Sequence, residues 1–342
     1  MSLECYTRNF SNRHEITHAI SIQTADYYND IGKIILNVPI NDYNISVLEV
    51  GGMLYNTVTG FTYVIVNIKT DTINNRLTIN GYTTNWLLNS RVIASKATIT
   101  NVESGIYSLL ANNLRALSYI VPACASGLTK TTNVELYGGQ LLDEVLDILE
   151  DAEYGHKMVW DDDTKKFTFT IYDGNDLTSG IHAIVFSDEQ GTAQDLVIND
   201  DTSTFKNFCY CSTEYSDGTE LIATAGTATG DNRYEVWIDA AGLSQEEEET
   251  NEQFLERAQQ FAAMQLGRYV HKQGFTVTID ASEFGVLYGL GDIVTCSSAR
   301  FGVQFTARIT GIKYKMDING TQTDVVLGDP ILTKIGEIQL NG

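Results

Sequence analysis

A mainly β fold with α+β insertions follows from three observations on this 342-residue sequence. Short runs alternate apolar and polar residues with period two, the mark of half-buried strands. Three segments between them carry apolar residues at helical spacing instead. Glycines and polar clusters stand where the runs end, as turns require.

The first hundred residues read as strands and turns. Ile34 to Val38 form a strand that stops at Pro39, which lacks a ladder donor. Phe61 to Ile68 and Arg76 to Tyr82 are β-prone runs joined by the polar stretch 69–75, a hairpin. Ser104 is the expected N-cap of a helix whose stripe is Ile106, Leu109, Leu110, Leu114 and Leu117. A second helix places Leu141, Leu142, Val145, Leu146, Ile148 and Leu149 on one side, with Asp143, Glu144, Asp147, Glu150 and Asp151 opposite. A hairpin follows, Met158 and Trp160 leading through Asp161, Asp162 and Asp163 to Phe167, Phe169 and Ile171. Strands return at Ala183 to Phe186 and Asn207 to Ser212. Ser244 with Glu247 then reads as a capping box for a third helix buried along Phe254, Ala258, Phe261, Ala262, Gln265 and Leu266. The acidic run Glu246 to Glu249 falls in that helix's first turn, where the dipole favours it.

From Phe275 the chain is β again. Its clearest stretch runs from Tyr288 through Gly289, Gly291, Asp292, Ile293 and Val294 to Thr295. After Gly302, residues Val303, Phe305, Ala307 and Ile309 alternate with Gln304, Thr306, Arg308 and Thr310. The glycines are turn residues; the lysine and helix start of a phosphate loop are missing. Asp292 is expected to cap backbone N–H groups in its loop.

Composition narrows the function. With 22 Lys and Arg against 44 Asp and Glu, the net charge of -22 excludes tight sequence-independent nucleic-acid binding, which needs clustered cations. The same charge suits a conduit that DNA crosses, because like charge keeps a polyanion off the wall. The N-terminus lacks the basic and apolar regions of a secretory signal, and no run reaches the roughly 18 apolar residues of a membrane span. Five scattered cysteines, at 5, 124, 209, 211 and 296, fit a reducing compartment better than a disulfide framework.

No catalytic, cofactor or metal site is expected. Asp161 to Asp163 lack the spacing and turn glycine of a calcium loop. The histidines at 14, 18, 156, 182 and 271 form no zinc signature, and no Gly-x-Ser-x-Gly elbow is present.

Taken in order, these pieces resemble the tail-tip (baseplate) hub proteins of siphophages and prophages, the family that also forms the N-terminal module of tail-associated lysins. The resemblance runs through Tyr27 to Gly32 and the strand ending at Pro39, Gly81 with Leu87, Leu88 and Arg91 to Ile93, and Gln140 to Leu146. It continues through Phe169 to Asp176 with its Tyr172, Gly174 and Asp176, then Val185 to Ser187, Phe205 to Asn207 and Val236 to Ala240. Gly289, Gly291, Asp292, Arg308 and Gly328 close the series. One departure is Leu177, where the family carries Arg or Lys.

The resemblance implies two β-barrel modules plus α/β modules: residues 1–101 as the first barrel, 102–182 as an α/β module, 183–214 with 275–342 as the second barrel, and 215–274 as an inserted α/β segment with one long helix. It further implies a non-enzymatic homotrimer that closes the tail tube as a ring, meeting a distal tail protein and a tape-measure protein. Such a protein sits at the virion tail tip after assembly in the bacterial host cytoplasm. The chain ends at Gly342, so the hydrolase extension of some relatives is expected to be missing. Two other readings compete: a carbohydrate- or receptor-binding tail module, suggested by 18 tyrosines and 3 tryptophans, and a cell-wall hydrolase.

Overall fold

The computed structural model describes residues 2–187, 189–192, 196–246, 249–279, 283–298, 300 and 303–328. Gly302, Glu247 and Glu248 lie outside them, as does everything after 328. By their contacts these residues fall into two compact units, 1–197 with 275–330, and the intervening 198–274.

The first unit is built on one long antiparallel path. Gly320–Gly328, Val303–Asp317, Ser21–Tyr27, Lys33–Pro39, Arg76–Thr83, Thr62–Asp71, Met53–Asn56, Leu3–Tyr6 and Arg13–Glu15 are neighbours in that order. The expected hairpin is present, with Asp71 opposite Arg76 at its closed end. Alternation does the work: in Lys33–Pro39, Ile34, Leu36 and Val38 are buried while the residues between them are half-buried. The path does not close into a ring among the described residues, so the two barrels are not seen as closed cylinders in the single chain.

Val303–Asp317 ties the unit together because it is 15 residues long and changes partners along its length. Its first half pairs with Ile293–Ser298, and its second half lies between Gly320–Gly328 and Ser21–Tyr27. The switch coincides with a register shift between Ile309 and Gly311. Ile293–Ser298 also pairs in parallel with Val185–Ser187.

Helices and small sheets cover this frame. Helix α1, Asp42–Val47, is a short connector. Helix α2, Val102–Asn113, is capped by Asn101, not by Ser104; Ser104 instead donates its N–H and hydroxyl to Asn101 Oδ1 from the third helical position. Helix α3, Leu141–Asp151, buries the apolar side read from its sequence. Both pack with the hairpin Gly155–Asp161 and Lys166–Tyr172, to which Ile120–Pro122 adds in parallel, in one core that includes Leu110, Val145, Phe167 and Phe169. The Asp161 carboxylate accepts the N–H groups of Asp163 and Thr164, so the triple-aspartate run is a hydrogen-bonded hairpin tip.

The second unit is a three-stranded sheet under one helix. Phe208–Glu214 is central, antiparallel to Glu220–Ala225 and parallel to Glu235–Ser244. Helix α4, Asn251–Leu266, covers one face through Phe254, Ala258 and Ala262, which meet Cys209, Cys211 and Leu221. Its capping box is Thr250 with Gln253, and Ser244 ends the preceding strand. Glu246 and Glu249 therefore lie before the helix, where Glu249 pairs with Arg257 at 2.6 Å. Four of the cysteines, 5, 209, 211 and 296, are buried, and Cys124 is exposed.

Candidate functional site

Most of the sequence-predicted motif residues meet in the first unit at one joint, which four stretches of chain build. Strand Ser21–Tyr27 delivers Tyr28 at its end, with its N–H on Thr310 O at 2.9 Å. The hairpin strand Lys166–Tyr172 delivers Tyr172 and runs on into Gly174 and Asp176. The loop before Ile293–Ser298 delivers Gly289, Gly291 and Asp292, and Val303–Asp317 adds Arg308.

Asp292 is the acceptor at the centre. Its Oδ1 takes the Asn175 N–H at 2.8 Å and the Asn175 amide at 3.1 Å, while Oδ2 takes the Gly289 N–H at 2.8 Å. The carboxylate itself is 7% exposed and depends on these part-buried bonds for its partners. Backbone pairing continues outward: Ile293 N donates to Asn175 O, and Leu177 N donates to Ile293 O, both at 2.8 Å. Asp176 turns the chain there by accepting the Thr178 N–H at 2.9 Å.

Tyr28 is the hinge pin. Its ring lies edge-on to Tyr172 at 5.3 Å and under the Arg308 guanidinium at 5.2 Å. Arg308 also donates to Gly291 O at 2.7 Å and to Asp173 at 3.2 Å. Burial pushes the Tyr28 hydroxyl up to about 12, the Arg308 charge acting the other way. Burial likewise raises Tyr172 well above the ordinary phenol range. Both rings are uncharged at neutral pH and act as packing and hydrogen-bonding groups.

Two glycines are required by close approach. A Cβ on Gly174 would lie 1.8 Å from Gly291 O, and one on Gly291 would lie 2.3 Å from the Tyr28 ring. Gly291 also has φ +93, a backbone region that side chains rarely adopt. Gly328, with φ +81, joins the edge of this region as the acceptor of the Thr310 hydroxyl. Gly81 and Arg91 lie elsewhere in the same unit. A Cβ on Gly81 would stand 2.7 Å from Val64 O; Arg91 donates to Leu114 O at 3.1 Å and fixes the entry to α3 through Leu141 N on its own carbonyl.

Tyr28 falls within the Tyr27 to Gly32 stretch that carries the resemblance but is not singled out as a site residue from sequence. Sequence reasoning left out Glu103, 1% exposed, whose carboxylate accepts the N–H groups of Ser126, Gly127 and Leu128. One acidic residue among 44 carries no signal of such a role. The Asp292 carboxylate makes its hydrogen bonds to other protein atoms, and the neighbouring Arg308–Asp173 pair is partly exposed. Among the described residues no group of three His, Cys, Asp or Glu is placed to hold a metal ion, and no helix is long and apolar enough to cross a membrane.

Comparison with known proteins agrees with this architecture. The fold is shared with a tail protein from Neisseria meningitidis MC58, at TM-score 0.63 and 14% identity over 96% of this chain and 97% of that one. It is also shared with the 43 kDa tail protein of prophage MuSo2 from Shewanella oneidensis, at TM-score 0.60 and 12% identity over 96% and 99%. Prophage tail protein gp18 from Listeria monocytogenes EGD-e gives TM-score 0.54 and 16% identity over 96% and 94%. No curated protein sequence matches the chain. Residues 2–329 match the model of the family described as Siphovirus ReqiPepy6 Gp37-like protein, and the chain therefore belongs to that phage tail protein family.

Proposed function

We propose that this tail protein is a structural hub of the tail tip: three copies form a ring that closes the tail tube, meeting a distal tail protein on one side and a tape-measure protein at the lumen. The observation that supports it is the extent of the likeness, which covers 96% of the chain in each of three tail proteins. In this reading the open sheet of the first unit supplies the strands of two barrel modules. The Asp292 joint keeps them aligned, and no catalysis is involved. The charge of -22 fits a wall past which DNA slides. Assembly takes place in the bacterial host cytoplasm.

Mass photometry of the chain alone and mixed with the distal tail protein tests this reading. Particles of three times the chain mass, in either sample, are the expected result. Monomers alone in both samples, up to the highest usable concentration, refute it.

A glycan- or receptor-binding reading has one specific observation in its favour. In the second unit Trp237 is 57% exposed and stacks beside Tyr210 at 6.3 Å. Glycan-array binding that disappears in Trp237→Ala would establish this role, and a blank array for the native chain would remove it.

A further inference from the structure

A cavity of about 310 Å³ lies in the first unit, apart from the Asp292 joint. Its floor is three adjacent strands. Thr24, Tyr314 and Thr323 are cross-strand neighbours in one row, and Asp26 stands opposite Ile312 in the next. The turn carrying Asn56, Val58 and Phe61 forms a wall. The volume falls at the small end of ligand pockets.

Two polar groups in this cavity are not explained by the fold. Asp26 is 2% exposed, and its oxygens each lie 2.8 Å from the Tyr63 hydroxyl, yet among the described residues no lysine, arginine or histidine forms a hydrogen bond or ion pair with it. Thr323 is 3% exposed and its hydroxyl has no hydrogen-bond partner. A buried carboxylate without a counter-charge and a buried hydroxyl without a partner are both unfavourable in an apolar enclosure. One ligand removes both costs if it carries a cationic donor head on a short apolar stem.

We propose that this cavity binds a small alkylammonium group, with Asp26 as its counter-ion, Thr323 Oγ1 as a second acceptor, and Phe61 and Ile312 around the stem. The inference does not depend on the tail-hub reading. The head group has two sources, a free amine or a lysine side chain of a partner protein.

The test is calorimetry of the whole chain with n-pentylammonium, with N-acetyllysine methylamide and with n-pentanol. Native protein binds pentylammonium and not pentanol; Asp26→Asn weakens binding about tenfold or more, and Thr323→Val weakens it as well. Burial holds the empty-cavity Asp26 carboxyl at about 7, with the Tyr63 and Thr24 hydrogen bonds opposing. Only the carboxylate attracts the cation, so affinity falls about tenfold from pH 8 to pH 6 in the native protein and is flat in Asp26→Asn. The groups facing Asp26 are Tyr63 and Tyr314, and, across an adjoining cleft, Asp30, His156 and Lys157. His156 is buried and held down at about 4, so it is neutral throughout this range. Asp30→Asn leaves the pH profile in place.

Binding of pentylammonium alone identifies a free amine as the ligand, and binding of the lysine derivative as well identifies a side chain. Equal affinity for amine and alcohol, full affinity in Asp26→Asn, a pH profile that vanishes with Asp30→Asn, or no amine binding at 20 mM (about the weakest useful affinity) overturns the proposal.

Discussion

Replacing Asp26 by Asn should stabilise the first unit at alkaline pH, a rare outcome for a fully buried polar position. The carboxyl titrates at about 7 in the fold against 3.8 for an ordinary aspartate, a rise caused first by desolvation. Below about pH 4 it is protonated in both states and contributes no difference. Between about 4 and 7 the unfolded chain gives up the proton while the fold keeps it, so stability falls as pH rises; above about 7 the loss is complete. Roughly three pH units at about 1.4 kcal/mol each give about 4 kcal/mol, of which about 3 kcal/mol falls between pH 5 and pH 8. Asn removes the charge and keeps an acceptor for Tyr63. The assay is urea unfolding at pH 5, 6, 7 and 8 in a Trp237→Phe background. Fluorescence then reports only Trp86 and Trp160, both in the first unit. The advantage of the Asn variant should grow with pH up to about 7 and level off by pH 8. A gap that is constant from pH 5 to pH 8, or an Asn variant that is weaker at pH 8, refutes the reasoning.

Other perturbations probe the joint and the loops. Gly174→Ala forces the Gly291 carbonyl away from a Cβ at 1.8 Å and should cost more than about 3 kcal/mol, while Gly242→Ala, with open space around it, stays within about 0.5 kcal/mol; thermal melts compare the two. Asp292→Ala leaves the Asn175 and Gly289 N–H groups without their acceptor and should cost about 1–2 kcal/mol in a denaturant titration, with Asp292→Asn intermediate. For Glu103, desolvation raises the carboxyl but is outweighed by hydrogen bonds from Ser126, Leu128 and Gly127, leaving it below its usual 4.5. A depressed folded value contributes stability above the unfolded one that is lost as pH falls, so Glu103→Gln should melt earlier than native at pH 7 and converge with it below about pH 4.

Much of the fold was legible because it follows local pattern. Ile34, Leu36 and Val38 announce a strand by alternation alone, and the leucines of α3 announce their helix by spacing. Caps were harder: Ser104 and Ser244 have the right chemistry, but Asn101 and Thr250, a few residues away, have it too, and tertiary packing chose between them. The joint was legible as a set of glycines and an aspartate but not as a place. That Gly174 touches Gly291 depends on a contact 117 residues distant, like the bond from Asn175 to Asp292, and no period in the sequence encodes it. Asp26 gave no sign at all, since its cavity is made by the Asn56 turn and two strands near the other end of the chain.

The distribution of cysteines makes the chain a ready substrate for single-site chemistry. Burial pushes the Cys5 and Cys296 thiols up to about 12 and raises Cys209 and Cys211 as well, so few thiolates form and none of these four is reachable. Cys124 alone is exposed. A maleimide dye at neutral pH should therefore add once per chain, as intact mass will show, and the native sequence can carry a fluorophore without any cysteine being removed. In an assembled tail, counting bleaching steps from that one dye would read the number of copies per tail directly.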